Sequence, residues 1–310
     1  MNKPKASASV ELTCGNLRAI VRPDVGGSIE RFWLAGDDGQ FDWLRTSSSS
    51  GKQPLEVLDM ACFPLVPFSN RVRNGRFRYG DTEVNLPLNF GDHPHAIHGQ
   101  GWQSDWDVED SSSTTVLMRY DHVADSWPWN YTARQKFVLD ENSLSIELVV
   151  NNQSSTPMPL GLGWHPYFPC DADTTTIKTE CTEVWDVDEE VMPTSLRPAT
   201  DLLPQAIDTP IARLGLDNCF TGWNRQFDIR WGNSGHSLKL EANATLDKLV
   251  VFAPVGEDFF CAEPVSHGTD AFNQAFKGET NTGMIDLPPG GTHKAQMKLS
   301  VTTANFFDTT

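Results

Sequence analysis

Thr114-Thr115-Val116-Leu117-Met118-Arg119-Tyr120, then Tyr131-Thr132-Ala133-Arg134-Gln135-Lys136-Phe137-Val138-Leu139, then Leu144-Ser145-Ile146-Glu147-Leu148-Val149-Val150: these three segments decide the fold class. They are rich in β-branched and aromatic residues, and in the third Leu144, Ile146, Leu148 and Val150 recur at every second position. A period of two is the signature of a strand with one buried face. Consecutive strands joined by short turns pair antiparallel, since a parallel pair needs a long crossover. The same texture extends in both directions. Val10 to Trp33 alternates in short runs broken at Pro23 and Gly26-Gly27, and Leu238-Lys239-Leu240 and Lys248-Leu249-Val250-Val251-Phe252 continue it toward the C-terminus. No long amphipathic helix and no repeat of fixed period interrupts the pattern. The serine run Ser47–Ser50 with Gly51 reads as a loop rather than a linker, because the strand pattern resumes on both sides. The prediction is an all-β chain, a large antiparallel β-sandwich in which residues 1–310 form a single domain.

Composition narrows the function. The formal charge of −17 argues against nucleic acid and anionic membrane surfaces as partners, both of which demand a cationic face. No apolar run is long enough to cross a bilayer and no basic-then-apolar start resembles a signal peptide, so a cytoplasmic location is expected. Cys14, Cys62, Cys170, Cys181, Cys219 and Cys261 are scattered without a C-x-x-C, which leaves buried free thiols as the expectation. An uncharged or locally recognised small molecule fits this chain best as a ligand.

Two titratable residues stand immediately before proline in apolar surroundings. In Phe259-Phe260-Cys261-Ala262-Glu263-Pro264-Val265-Ser266-His267, the proline denies Glu263 the helical conformation and puts its side chain on the face of Cys261. Gly161-Leu162-Gly163-Trp164-His165-Pro166-Tyr167-Phe168 repeats the device at His165. Taken singly, Glu263 reads as a solvated strand end and His165 as a satisfied core histidine. Two such residues in one chain point to a working acid and base.

Other segments carry candidate binding groups. Asn74-Gly75 predicts a two-residue hairpin turn, with Arg73 facing Arg76 and Arg71 facing Arg78 on one side and Val72 and Phe77 on the other. Like charges directly opposite are unfavourable, so either the arginines splay into water or their face meets carboxylates or an oxygen-rich ligand. His93, His95 and His98 fall within six residues, but their spacing matches neither a helical metal pair nor a cysteine-completed loop, and no metal is expected there. Trp127-Pro128-Trp129 lies in a loop, where the rings either stack on a sugar or pack beneath the loop. No glycine-rich dinucleotide loop appears.

Taken together, Asn70-Arg71 with Gly75-Arg76-Phe77, His98-Gly99, His165-Pro166-Tyr167-Phe168 and Glu263-Pro264-Val265-Ser266-His267 resemble the aldose 1-epimerase family, the galactose mutarotase-like proteins, in family order over nearly the whole length. The resemblance implies a β-supersandwich with a sugar cleft across one sheet and neither cofactor nor metal. It implies Glu263 as general base, His165 as general acid, Arg71 and His98 as sugar-oxygen contacts and, by position, Asp217 as a sugar-binding aspartate. Trp164 stands where galactose mutarotases usually carry asparagine, and Pro169-Cys170 follow Phe168 in place of an Asn-Leu tail, so the expected substrate is an aldose not restricted to galactose. Two alternatives accompany this expectation. One is an epimerase for a phosphorylated or sulfonated sugar held by the arginine face; the other is a catalytically silent sugar binder on the same fold.

Overall fold

The computed structural model describes residues 9–36, 39–46, 55–203 and 210–304; the serine run at 47–51 lies outside them. The predicted segments at 114–150 become the strands Thr115–His122, Tyr131–Leu139 and Ser143–Asn152. They pair antiparallel, with Phe137 opposite Ile146 and Ala133 opposite Val150. The alternation does its work here: Leu144, Ile146, Leu148 and Val150 are all buried. These strands sit in an eight-stranded sheet ordered Asp107–Ser111, Thr115–His122, Tyr131–Leu139, Ser143–Asn152, Thr292–Thr302, His236–Ala242, Gln226–Trp231, Thr175–Thr179.

A second, eleven-stranded sheet runs Val10–Cys14, Leu17–Arg22, Ser28–Gly36, Cys62–Leu65, Gly163–Pro169, Phe259–Val265, Lys248–Ala253, Leu216–Thr221, Glu183–Val187, Pro193–Pro198, with Gly39–Asp42 added beside Ser28–Gly36. Among the described residues every strand pairing is antiparallel, and the only α-helix is Ala271–Phe276. One apolar cluster takes side chains from both sheets, and Trp164 crosses between them by donating its indole N–H to Gln135 at 3.1 Å. All six cysteines are free, four of them buried.

The middle strands of the larger sheet are covered on both faces. Trp164, Phe168, Phe260 and Ala262 point into the main core, while Phe63, Tyr167, Cys261, Val250 and Cys219 form a smaller apolar cluster on the opposite face. Period two alone places His165 with Tyr167, and Glu263 with Cys261, on that second face.

The arginine hairpin does not form. Asn74 and Gly75 do take the positive φ angles of a tight turn, 53° and 63°. The flanking residues nevertheless pair elsewhere, Arg71-Val72 with Ala96-Ile97, and Arg76–Tyr79 with Thr82–Asn85. Pairing Arg78 with Glu83 and Arg71 with Ile97 avoids the like-charge contacts that the hairpin would impose. Trp127 and Trp129 resolve to packing: both are buried, Trp127 among Phe68, Phe77 and Phe272.

One close approach holds the cleft strands to the preceding loops. His267 accepts the Ser69 N–H on Nε2 at 3.2 Å and donates from Nδ1 to the Gly268 carbonyl at 2.7 Å, and a Cβ on Gly161 would lie 1.7 Å from its ring. A methyl group there must expel the imidazole and leave the Ser69 N–H without its partner. Gly161→Ala is therefore expected to lower stability by about 2–4 kcal/mol, measured by denaturant unfolding. A loss below about 0.5 kcal/mol, the scale of an ordinary surface change, would show that the ring relaxes freely.

Candidate functional site

The two proline-locked residues meet on neighbouring strands. Gly163 pairs with Val265 and Tyr167 with Cys261, a register that puts His165 across from Glu263. Pro166 and Pro264 lack the N–H that a central ladder uses, and the ladder lapses between those two pairs. The imidazole Nε2 lies 3.3 Å from Glu263 Oε1. Glu263 is 3% exposed, and its Oε2 and His165 Nδ1 have no hydrogen-bond partner among the described residues.

These two groups line a cleft of about 150 Å³ together with Asn70, Arg71, Phe90, His98, Trp102, Tyr167 and Asp217. All five residues expected from sequence, Arg71, His98, His165, Asp217 and Glu263, thus come together. Larger open grooves lie over the outer face of the eight-stranded sheet, about 440 and 460 Å³, but Lys136, Glu147, Lys239 and Lys298 line them and no buried acid and base converge there.

Each polar wall is fixed by its neighbours. His98 adopts φ 62° and exchanges two bonds with Asn70, its own N–H donating to the Asn70 carbonyl and its Nδ1 accepting the Asn70 N–H, both at 3.0 Å. With Nδ1 accepting, the ring proton of neutral His98 sits on Nε2, and the free edge of the ring is a donor. Arg71 reaches Asp217 at 3.5 Å and His93 at 3.4 Å. The other arginines disperse: Arg73 lies near Asp188, Glu190 and Asp270, and Arg78 near Asp81.

The walls that sequence reading missed are aromatic. His165 packs against both Phe63 and Tyr167, with centroids 4.7 and 4.6 Å away and planes within 28° and 25°, and those two rings also touch each other at 6.2 Å, tilted by 52°. Trp102 stacks on Phe63 at 5.2 Å, and the Arg45 guanidinium lies over the Tyr167 ring at 3.7 Å. Tyr167 was legible two positions after His165; Phe63, Trp102 and Arg45 left no local signal.

Burial dominates the electrostatics. It pushes Glu263 well above the usual carboxylate range, with the Asp217 charge adding to the effect and Arg71 opposing it. It pushes His165 down to about 3, with Arg45 and Arg71 contributing in the same direction. His98 is depressed for the same reason, and Asp217 is raised by burial against the pull of Arg71. The sequence reading required an ionised carboxylate facing a protonated imidazole. Burial instead favours the neutral forms of both, which is the same single proton placed on Glu263 rather than on His165.

His98, His165 and Glu263 bring three potential metal-ligand atoms within 4.8 Å of one another. A ligating histidine normally donates its second ring N–H outward. His98 does the reverse, accepting at Nδ1, so its remaining nitrogen offers a proton rather than a lone pair. That polarity suits an oxygen-bearing ligand. His93 and His95 stay apart from this group and pack against each other, with centroids 5.2 Å apart.

Comparison with known proteins agrees with this geometry. The profile of the family described as Aldose 1-epimerase matches residues 8–300. The chain belongs to the aldose 1-epimerase family. It is 32% identical over 301 residues to the Escherichia coli K12 protein called uncharacterized protein YphB, covering 94% of this chain and 97% of that one. Among solved structures it is similar to a putative aldose 1-epimerase from Escherichia coli K12, with a TM-score of 0.83, 31% identity and coverage of 96% and 99% of the two chains. A galactose 1-epimerase from Lactobacillus acidophilus shares the fold, with a TM-score of 0.75 at 18% identity and 98% coverage of both chains. The family carries epimerase enzymes on this galactose mutarotase-like fold. No helix among the described residues is long and apolar enough to cross a membrane.

The raised Glu263 makes a stability prediction. Between the unfolded carboxyl value near 4.3 and the raised native value, the unfolded chain has lost a proton that the native state keeps. Stability due to this group is therefore full below about pH 4 and is lost as pH rises through the native value. Glu263→Gln removes the penalty, so its melting temperature should rise relative to wild type on going from pH 4 to pH 8. A difference that stays constant with pH would contradict the buried, neutral carboxyl.

Proposed function

We propose that this protein is an aldose 1-epimerase that interconverts the α and β anomers of a neutral aldose by acid–base ring opening and reclosure. The observation that carries the reading is the buried His165–Glu263 contact at 3.3 Å, with one unpartnered polar atom on each residue at the wall of the cleft. Unsatisfied buried polar atoms are costly, and a bound substrate that completes their hydrogen bonds removes that cost.

The reaction begins with one proton on the pair. From the form with that proton on His165, reached by transfer across the 3.3 Å contact, Glu263 takes the proton of the C1 hydroxyl. The C1–O5 bond breaks as the C1 carbonyl forms, and His165 delivers its proton to O5. Rotation about C1–C2 presents the other face of the aldehyde. His165 then takes the proton back from the O5 hydroxyl as O5 attacks C1, and Glu263 returns its proton to O1. Atoms and electrons balance without an oxidant or reductant. Arg71, Asp217 and the Nε2 proton of His98 hold the ring hydroxyls.

Two features favour this reading over the alternatives. A silent binder has no use for a buried acid and base that share one proton. The arginine face on which an anionic sugar would rest does not exist, because Arg73, Arg76 and Arg78 leave the cleft.

Polarimetric assay of purified protein with glucose, galactose and other neutral aldoses tests the proposal. Glu263→Gln and His165→Asn should each lower kcat by about a hundredfold to ten-thousandfold, with KM little changed, and the double variant should be little worse than the poorer single one. Near-normal anomerisation by folded Glu263→Gln would sink the assignment.

Arg71→Ala should lower kcat/KM about ten- to hundredfold, whereas Arg78→Ala should change it by less than about twofold. Arg78 as the more damaging site would overturn the placement of the sugar. The pH profile should be a plateau with its acid limb near 3, where a second proton enters, and its alkaline limb at the raised Glu263 value, where the only proton leaves. EDTA dialysis should leave the rate unchanged; loss restored by a divalent cation would contradict the donor role of His98.

A further inference from the structure

Arg45 lies outside the cleft and touches none of the groups assigned to the sugar, yet it has an unusual set of contacts. Its guanidinium lies flat over Tyr167 at 3.7 Å and near Phe259 at 4.8 Å. Nη2 donates to the carbonyls of Leu58 at 2.9 Å and Met60 at 3.3 Å, and the Arg45 N–H donates to the Tyr167 carbonyl at 2.8 Å. Nε is buried without a partner, and among the described residues no carboxylate lies within ion-pair distance of it. An arginine held by an aromatic face and two carbonyls, with no carboxylate among the described residues at ion-pair distance, is not acting as an ordinary surface ion.

The ring it covers is the one that stacks on His165. Tyr167 thus connects Arg45 to His165, and Phe63, itself stacked on Trp102, packs against both His165 and Tyr167. Leu58, whose carbonyl Arg45 holds, is itself part of the cleft wall. Resting on the epimerase reading above, we infer that Arg45 is a positioning residue for the general acid: it clamps Tyr167 against His165, fixes the ring plane, and places a cation on the Tyr167 side of the imidazole. The neighbouring groups do not duplicate this role. Glu263 faces His165 from Phe259–Val265 and favours protonation, as an acid does. Arg71 lies in the cleft and is partly neutralised by Asp217; His98 is perpendicular to His165 at 5.3 Å; Cys62 and Tyr167 are neutral. Among the described residues, Arg45 is the cation on the Tyr167 side that has no carboxylate at ion-pair distance.

The test separates charge from packing. Arg45→Met keeps the apolar stem without the charge, and Arg45→Lys keeps the charge without the planar fork. In Arg45→Met, kcat should fall about tenfold through lost orientation with KM within about twofold, and the acid limb of kcat/KM should move up by about half to one pH unit. In Arg45→Lys, kcat should fall while the limb stays at the wild-type pH. A second readout does not depend on activity. In histidine-labelled protein at neutral pH, the His165 ring protons are shielded by the two stacked rings and should shift downfield in Arg45→Met. An acid limb and ring resonances both unmoved in Arg45→Met would overturn the inference even if the melting temperature dropped. A raised KM with unchanged kcat would also overturn it, since that marks a direct sugar contact. Should Arg45→Met fail to fold, Arg45→Lys decides the matter, because wild-type kcat together with wild-type His165 resonances would refute the clamp. If the wild-type enzyme anomerises no aldose, the functional reading fails, and the resonances still decide whether Arg45 holds the stack.

Discussion

A carboxyl group buried to within 3% of complete exclusion from solvent is the constraint on which this molecule turns. Burial makes an ionised Glu263 unfavourable and raises its pKa well above the usual carboxylate range, and it lowers that of the adjacent imidazole for the same reason. One proton shared by two groups 3.3 Å apart is an electrostatic solution to burial, and it is the arrangement that the proposed acid–base reaction requires. On that proposal, stability and chemistry pull on the same pair.

The surroundings hold that pair without neutralising it. On one side of the sheet Trp164, Phe168, Phe260 and Ala262 lock the two strands into the main core. On the other, stacked aromatic rings fix the plane of His165 while offering no competing hydrogen bond. Polar control comes from the rim, where backbone groups of Asn70 set the tautomer of His98 and where Arg71 and Asp217 partly offset each other. Donors and acceptors fixed in advance suit a cleft of this kind to an oxygen-bearing ligand.

The fate of the arginines shows how local and global energetics part company. Asn74-Gly75 adopts the backbone of the expected turn, so the short-range signal is real. The hairpin fails because both flanking pairs find better partners, Glu83 for Arg78 and the Ala96-Ile97 edge for Arg71. Redistribution leaves Arg71 in the cleft and sends Arg73 toward Asp188, Glu190 and the buried Asp270 and Arg78 toward Asp81, so the four arginines do not share the face that a hairpin would have built.

Period two by itself determined the facing of each strand, because a pleated strand sends alternate side chains to opposite sides whatever its neighbours are, and the short turns between strands determined the antiparallel class. That is why His165 beside Tyr167, Glu263 beside Cys261 and the buried series from Leu144 to Val150 could be read in one dimension, and why the two X-Pro steps marked them as extended. The assignment of Arg71, His98 and Asp217 to the same cleft came from family resemblance rather than from any local pattern. Only the tertiary structure decided that the strand of Gly163–Pro169 lies between those of Cys62–Leu65 and Phe259–Val265, which brings residues about a hundred positions apart into contact. Strand order depends on long-range pairing, and no local periodicity encodes it. The shifted pKa values of the pair, the polarity of His98, the packing of Phe63 on His165 and of Arg45 on Tyr167 and the dispersal of the arginines all follow from that order, because each depends on what is packed against a side chain rather than on what precedes it in the chain.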